Sequence, residues 1–114
     1  MFRRLSVAAT CAVLMSGAAF ADPIEGRWKT EAGSTAHISA CGNAFCIKLV
    51  SGSHSGKQIG KMTSGGGNSY SGTITDPAND KTYKGKASLA GGTLNLSGCV
   101  LGGLICRSQK WDKL

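Results

Sequence analysis

The sequence predicts an all-β protein, a small eight-stranded antiparallel up-and-down β-barrel with a disulfide in each of two hairpins. Glycine accounts for 17 of the 114 residues and proline for only 2. After an apolar N-terminal segment, short runs that alternate apolar and polar side chains are separated by Gly, Asn, Asp and Ser. Such runs, with turn signals about every ten residues, are typical of strands in sandwiches and barrels.

The N-terminal segment, residues 1–21, has the features of a secretory signal peptide. Two arginines precede an apolar run over residues 5–15, which is shorter than the roughly 20 residues that span a membrane. Small residues at Ala19 and Ala21 then form a cleavage motif. We expect cleavage after Ala21, no stable membrane insertion, and a periplasmic or secreted mature protein. The alternative is an N-terminal membrane anchor.

The mature chain, residues 22–114, is expected to form one domain with a small core. Its net charge is +5, because two of the cations behind the +7 of the whole chain leave with the signal peptide. These cations are spread along the chain, which favours a solvated basic surface over specific affinity for anionic envelope polymers. Without a basic helix or an aromatic platform, the chain is not expected to bind nucleic acid.

Eight strands are predicted, at residues 25–31, 35–41, 45–50, 57–63, 69–75, 81–89, 93–100 and 104–111. Alternation assigns one face of each strand to the barrel interior. In the fourth strand, Ile59 and Met62 can both face inward only if a β-bulge separates them. The other strands after the first have regular inward faces: Ala36, Ile38 and Ala40; Phe45, Ile47 and Leu49; Tyr70, Gly72 and Ile74; Tyr83, Gly85, Ala87 and Leu89; Leu94, Leu96 and Gly98; and Ile105, Arg107, Gln109 and Trp111.

The first strand carries the motif Gly26-Arg27-Trp28, in which charge at every second residue assigns Arg27 to solvent and Trp28 to the interior. The first and last strands of an up-and-down barrel are neighbours, so Arg107 can reach Trp28. A guanidinium against an indole contributes about 0.5–2 kcal/mol. We expect Gly26, Trp28 and Arg107 to close one end of the barrel; the alternative is that Arg107 extends into solvent.

Four cysteines follow the signal peptide, an even number that indicates two disulfides in an exported chain. If Asn43 and Ala44 form the turn, Cys41 lies directly opposite Cys46. Opposed Cβ atoms are about 4.5–5.5 Å apart, close to disulfide geometry. We predict a Cys41–Cys46 bond rather than a zinc site, which would favour closer cysteine spacing.

The second pair follows from the turn between the last two strands. A two-residue Gly102-Gly103 turn pairs Leu101 with Leu104 and places Cys99 opposite Cys106. We therefore predict a Cys99–Cys106 bond. Bridges that join the two hairpins would constrain the unfolded chain more, but the direct opposition favours bonds within each hairpin.

Neither histidine of the mature chain has the neighbours that catalysis requires. His37 is predicted on an outward strand face and His54 in a Gly/Ser loop, without a carboxylate pair or metal-ligand spacing. General acid–base chemistry needs paired titratable groups in a pocket. The sequence therefore predicts no catalytic residues, no metal, no cofactor and no enzyme activity.

Several short motifs extend over nearly the whole mature chain. They are Asp22-Pro23, Gly26-x-Trp28, Cys41-Gly42, Phe45-Cys46, Asp76-Pro77, Lys81-Thr82-Tyr83, Gly98-Cys99 and Arg107-x-Gln109-x-Trp111. Together they resemble the domain of unknown function 2147 family, whose members are small exported bacterial proteins. Gly26-x-Trp28 with Arg107 also resembles the structural signature of the calycin superfamily, which includes the lipocalins. The resemblance implies a lipocalin-like barrel and no established activity; residues 51–56 are shorter than in typical members.

Two functions are consistent with this architecture. In the first, the barrel binds a small amphipathic or anionic ligand, because small inward residues leave either a cavity or a collapsed interior. The predicted cavity lining is Tyr70, Tyr83, Gln109, Ile38, Ile47, Leu49, Ile74, Leu94 and Leu96, with Arg107 as a further polar contact. In the second, the protein is an envelope structural or interaction protein with a protein partner, such as a periplasmic protease inhibitor that inserts residues 22–24 into its target.

Overall fold

The computed structural model describes residues 22–100, 102 and 104–114. The predicted signal peptide and the predicted Leu101–Leu104 pair therefore lie outside the described residues. Within them, all eight strands form one closed antiparallel barrel in sequence order, which confirms the predicted fold class. The strands are β1 (Gly26–Lys29), β2 (Thr35–Cys41), β3 (Ala44–Leu49), β4 (Gln58–Gly66), β5 (Ser69–Asp76), β6 (Lys81–Ala90), β7 (Thr93–Val100) and β8 (Ile105–Lys113).

Closure of the barrel depends on a very short strand. β1 has four residues and β8 has nine. The two strands meet at only two register pairs, Trp28 with Lys113 and Lys29 with Asp112. β8 pairs with β7 over its length, from Ile105 to Asp112. Most of β8 therefore extends past the β1–β2 hairpin with no strand on its other side.

β4 contains the bulge that the sequence requires. The β3–β4 register shifts between Ile47 and Lys48, and Ile59 is the extra residue. Ile59 and Met62 are both buried as a result. The predicted end of this strand was wrong, because β4 continues through the glycines to Gly66.

The core fills the interior between the strands. Buried hydrophobic side chains from all eight strands, and from the segment before β1, form one cluster. Its largest fully buried members are Trp28, Ile24, Ile38, Ile47, Met62 and Leu94. Ala40 has the same parity as the buried Ala36 and Ile38 but is exposed, because β2 continues past its last pair with β1, Gly26 with Ile38.

Both predicted disulfides are present. Cys99 lies directly opposite Cys106, as predicted. The predicted register around Cys41 was wrong, because the turn is Gly42-Asn43 and Cys41 pairs with Ala44. Cys41 and Cys46 are therefore diagonal neighbours. Cys46 is two residues beyond the partner of Cys41, and a shift of two residues keeps side chains on the same face of a sheet. Their Cα atoms are 5.9 Å apart, within reach of a disulfide.

Arg107 does not contact Trp28, so that prediction was wrong. It lies on β8 opposite Gly98 and is exposed. The strand next to Trp28 is indeed β8, but the register places Lys113 there instead. The short β1–β8 pairing explains the difference: it includes only Asp112 and Lys113 of β8, and Arg107 is about 20 Å from Lys113 along the strand.

Candidate functional site

The two ends of the barrel differ in how their inward side chains are covered. We call one the closed end, defined by residues 22–25 with Trp28, Trp111 and Lys113. We call the other the open end, where β5 to β8 extend past the β1–β2 hairpin. Its inward-facing residues are Ile74, Tyr83, Val100, Ile105, Arg107 and Gln109.

At the closed end, the segment before β1 packs onto the core. Ile24 is fully buried, and the Trp28 Nε1–H donates to its carbonyl at 2.9 Å. The Ile24 N–H donates to the Asp22 carboxylate at 3.0 Å. These bonds hold the segment across the end of the barrel. Such packing opposes the protease-inhibitor hypothesis, in which this segment must be free to enter a target.

Lys113 has the position that the sequence assigned to Arg107. Its Nζ lies 4.7 Å from the centroid of the Trp28 ring, a cation–π contact. The same ammonium donates to the Pro23 carbonyl at 3.2 Å and to the Glu25 carbonyl. Lys113 therefore connects the end of the chain to the segment before β1.

Tyr70 also holds this segment. Its side chain is buried, and its hydroxyl donates a hydrogen bond to the Asp22 carboxylate. Burial, and then the neighbouring carboxylate, raise the pKa of the Tyr70 hydroxyl well above its ordinary value. Its ring packs edge-on against Phe45, with centroids 5.9 Å apart. Tyr70 is thus part of the closed end rather than a free polar group in a cavity.

Most of the predicted cavity lining is packed core. Five of the apolar residues are buried in the central cluster: Ile38, Ile47, Leu49, Leu94 and Leu96. Space next to the small inward residues is also occupied. A methyl group on Gly60 would meet the Ile47 side chain at 2.9 Å, and one on Gly85 would meet Ile74 at 2.7 Å. At these positions the small residues allow close packing instead of leaving room for a ligand.

At the open end, inward-facing side chains remain accessible. Ile105 is 55% exposed, and Arg107 and Gln109 are also exposed. Ile74 and Tyr83 are partly buried, and Ile74 packs against the core. The Tyr83 side chain lies over Gly98, where an added Cβ would be 3.5–3.8 Å from it.

This arrangement places a cation beside apolar surface. Gly98 pairs with Arg107, so Arg107 occupies the strand position next to the glycine over which the Tyr83 side chain packs. Among the residues that the structure describes, no hydrogen bond or ion pair is recorded for the Arg107 guanidinium. Gln109 differs, because its Oε1 accepts a hydrogen bond from Trp111 Nε1 at 2.9 Å.

Loops surround the open end. Lys57, from the β3–β4 loop, forms a 3.0 Å salt bridge to Asp80 and donates to the Pro77 carbonyl at 3.1 Å. These contacts tie the loop to the β5–β6 turn. A groove of ≈ 220 Å³ lies between the β1–β2 turn and the β3–β4 loop, and it includes His54.

The predicted histidine positions are confirmed, since His37 lies on β2 and His54 lies in the β3–β4 loop. Within residues 22–100, 102 and 104–114, no group of three or more His, Cys, Asp and Glu side chains could hold a metal ion. Over the same residues, none of the secondary structure is a helix with the length and hydropathy of a membrane span.

Sequence reasoning missed the roles of Asp22, Ile24 and Lys113. Ile24 precedes the first strand, where alternation gives no information about burial. Lys113 lies beyond the predicted end of the last strand, at 111, so its register with Trp28 was not considered. The apolar residue two positions before Gly26 was the one available signal for a segment that packs on the core.

Comparison with known proteins identifies a family but no described function. The family model described as an uncharacterized protein conserved in bacteria (DUF2147) matches residues 54–113, more than half of the chain. No curated protein and no solved structure matches the chain. The matched region includes β4 to β8, and with them every residue of the open end. The chain therefore belongs to the DUF2147 family of bacterial proteins.

Proposed function

We propose that this is an exported, non-enzymatic protein that binds a small amphipathic anion at the open end of its barrel. One observation carries the proposal: the exposed Arg107 side chain has no acid partner among the described residues, and its strand position has the same inward parity as Ile105 and adjoins Gly98, over which Tyr83 packs. An anionic head group would bind the guanidinium through charge-assisted hydrogen bonds. An apolar tail would cover the partly exposed side chains along β5 to β8.

The proposed ligand position is at the open end and not in the interior cavity that the sequence predicts. The central interior is packed, as the contacts around Gly60 and Gly85 indicate. A ligand would therefore lie at the mouth of the barrel, on Ile74, Tyr83 and Val100, instead of deep in the barrel interior. Mouths of small barrels are common ligand sites, since one end of the apolar core is accessible there.

Two features support export. Disulfides form and persist in oxidising compartments, and this chain has two. In addition, the Asp22 backbone nitrogen donates to the Glu25 carboxylate at 3.1 Å. Cleavage after Ala21 would make that nitrogen a positively charged amine, which strengthens the contact. Mass spectrometry of the protein from the periplasm should find Asp22 as the first residue; an uncleaved N-terminus would contradict the proposal.

Binding can be tested by isothermal titration calorimetry with decanoate, and with octyl glucoside as an uncharged amphiphile. We expect saturable binding of decanoate and much weaker binding of octyl glucoside. Arg107→Gln should lower decanoate affinity about tenfold or more, since a hydrogen bond to a charged group contributes about 1.5–3 kcal/mol.

Lys110→Gln is the matched control. Lys110 is on the same strand, is exposed and carries the same charge, but it faces outward. Its substitution should leave decanoate affinity within about twofold, because it removes no contact with the ligand. Equal losses in the two variants, or no decanoate binding by the wild type, would contradict the proposal. Mass analysis should recover decanoate unchanged, as expected for a binding protein.

A further inference from the structure

We infer a second binding site, for an anionic polysaccharide, on the outer face of β4 to β7. It rests on a different surface from the proposed amphiphile site, and neither depends on the other. The feature that carries it is a group of three lysines without carboxylate partners, set among hydroxyl and amide side chains.

Register places the three lysines close together. Lys61 on β4 pairs with Thr73 on β5, and Thr73 pairs with Lys84 on β6. Lys61 and Lys84 are thus two strands apart, about 10 Å at the spacing of β-strands. Lys86 is two residues beyond Lys84, about 7 Å along the same strand. All three side chains are exposed, so one flexible anionic chain could contact them together.

Negative charge is segregated away from this face. β4, β6 and β7 contain no Asp or Glu, and β5 has only Asp76, its last residue. The Asp76 carboxylate accepts a hydrogen bond from the Ala78 N–H at 2.8 Å, in the β5–β6 turn. Over the part of the chain that the structure describes, the side chains of Lys61, Lys84 and Lys86 form no ion pair or hydrogen bond.

The same face carries many uncharged hydrogen-bonding groups. A groove of ≈ 390 Å³ lies over β5 to β8, next to the lysines, and Lys86 is one of its walls. Outward-facing polar residues of this groove are Ser69, Ser88, Asn95, Ser97 and Ser108. Hydroxyl and amide groups can donate and accept hydrogen bonds, as the hydroxyls of a sugar chain require.

A polysaccharide fits this surface better than the other polyanions. Outward positions on these strands carry no aromatic side chain on which nucleic-acid bases could stack. They also carry no large exposed apolar side chain that could enter a bilayer. The charge complements carboxylate or sulfate groups, and the groove supplies contacts to the sugars themselves.

The two disulfides hold this face in shape. Cys46 pairs with Lys61 at one edge, and Cys99 pairs with Lys84 at the other. A row across the sheet therefore runs from one disulfide through both lysines to the second disulfide. Each bond fixes the outer surface of its hairpin, so the spacing of the lysines is set before the polysaccharide binds.

The test uses thermophoresis with defined octasaccharides: oligogalacturonate for carboxylates, a heparin fragment for sulfates, and neutral malto-octaose. We expect at least one anionic octasaccharide to bind, with affinity that falls steeply as salt rises, and malto-octaose to bind undetectably. The combined variant Lys61→Gln, Lys84→Gln, Lys86→Gln should bind about tenfold more weakly, equivalent to about 1.4 kcal/mol.

The matched control is Arg27→Gln, Lys29→Gln, Lys81→Gln, which removes the same charge from exposed sites on β1 and at the start of β6. It should bind within about twofold of the wild type, since the removed cations belong neither to the three-lysine group nor to the groove lining. Asn95→Ala should weaken octasaccharide binding but leave binding of inorganic tripolyphosphate unchanged. Arg107→Gln should have no effect, which separates this site from the amphiphile site.

Three outcomes would overturn the inference. Equal losses in the two triple variants would show diffuse attraction by net charge. Binding to vesicles with anionic lipids but to neither anionic octasaccharide would assign the face to membranes. Absence of octasaccharide binding by a wild-type protein with its melting temperature intact would remove the site altogether.

Discussion

The closed and open ends of the barrel are built from the same strands but differ in what covers them. At the closed end, a four-residue strand and the segment before it bring Ile24 and Trp28 to zero exposure. At the open end, β8 pairs with β7 but has no strand on its other side, and Ile105 remains 55% exposed although it faces inward. The difference shows that side-chain direction is set by strand alternation, whereas burial also requires a neighbouring strand.

The comparison predicts where stability is concentrated. Contacts that hold the closed end join distant parts of the chain, so their loss should destabilise the whole fold. Side chains at the open end have few contacts to lose, so their substitution should affect binding instead.

The largest effect is expected for Trp28→Ala. Trp28 is fully buried and its Nε1–H has a buried acceptor, so truncation should lower the free energy of unfolding by about 3–5 kcal/mol. Urea unfolding followed by circular dichroism measures the loss. Ile105→Ala, at the open end, should cost less than about 1 kcal/mol. Similar losses in the two variants would contradict the comparison.

Gly26→Ala should have the next largest effect. Gly26 has φ of 127°, which L-residues rarely adopt, and an added methyl would lie 2.9 Å from Lys113 Nζ. Backbone strain of this kind costs about 1–3 kcal/mol. Gly102→Ala also places a residue at positive φ, but nothing lies near its added methyl. If both variants lose the same stability in thermal melts, the displacement of Lys113 contributes nothing.

Tyr70→Phe is expected to change the pH dependence of stability. The Tyr70 pKa is raised in the folded state, so its contribution is complete below the unfolded pKa of about 10 and is lost as pH rises above it. Wild-type stability should therefore fall above about pH 10, and the fall should be smaller in Tyr70→Phe. Near neutral pH the variant should lose about 1–3 kcal/mol, because the Asp22 carboxylate loses the hydrogen bond from Tyr70 and keeps only the one from the Ile24 N–H.

The tyrosinate absorbance of the folded protein provides a second readout. Wild type and Tyr70→Phe should titrate alike until alkaline unfolding begins, since Tyr70 stays protonated. The contrary result is a tyrosinate absorbance that the folded wild type shows, below the pH of alkaline unfolding, and that Tyr70→Phe lacks. It would show that Tyr70 ionises in the folded protein.

The smallest of the closed-end effects is expected for Lys113→Gln. Its ammonium lies over Trp28 and binds the Pro23 carbonyl, but it is exposed to solvent. We expect a loss of about 1 kcal/mol, of the size of an exposed cation–π contact. Lys110→Gln, on the same strand, should cost less than about 0.5 kcal/mol. No difference between the two would mean that Lys113 does not stabilise the closed end.

The sequence predicted some structural properties of this protein correctly and others not. Alternation predicted the barrel, both disulfides and the burial of Trp28. It also required the bulge that buries Ile59 and Met62, since the two residues have opposite parity. These properties depend on local pattern and on the order of the strands.

The prediction failed where the answer depends on register and strand length. Arg107 has inward parity and lies on the strand next to β1, but β1 ends too early to cover it. The predicted register of Cys41 was wrong because the turn lies one residue earlier than expected. The predicted disulfide was still correct, because both cysteines remain on the same face of the sheet. Alternation contains no information about how far a neighbouring strand extends.

The candidate site shows the same limit. The sequence grouped Tyr70, Tyr83, Gln109 and Arg107 as polar contacts within one cavity. In the structure Tyr70 is bonded to Asp22 at the closed end, while Tyr83 and Arg107 are at the open end. Gly85 was among the small inward residues that were expected to leave either a cavity or a collapsed interior, and the side chains of Ile74 and Met62 fill the space beside it.

The most direct test of the account maps decanoate onto the folded protein by NMR, following backbone amides and methyl groups during a titration. We predict shift changes at Tyr83, Val100, Ile105 and Arg107, at the open end, with Trp28 and Leu94 unchanged. Shifts that are centred on Trp28 and Leu94 would place the ligand in the packed interior and contradict the account.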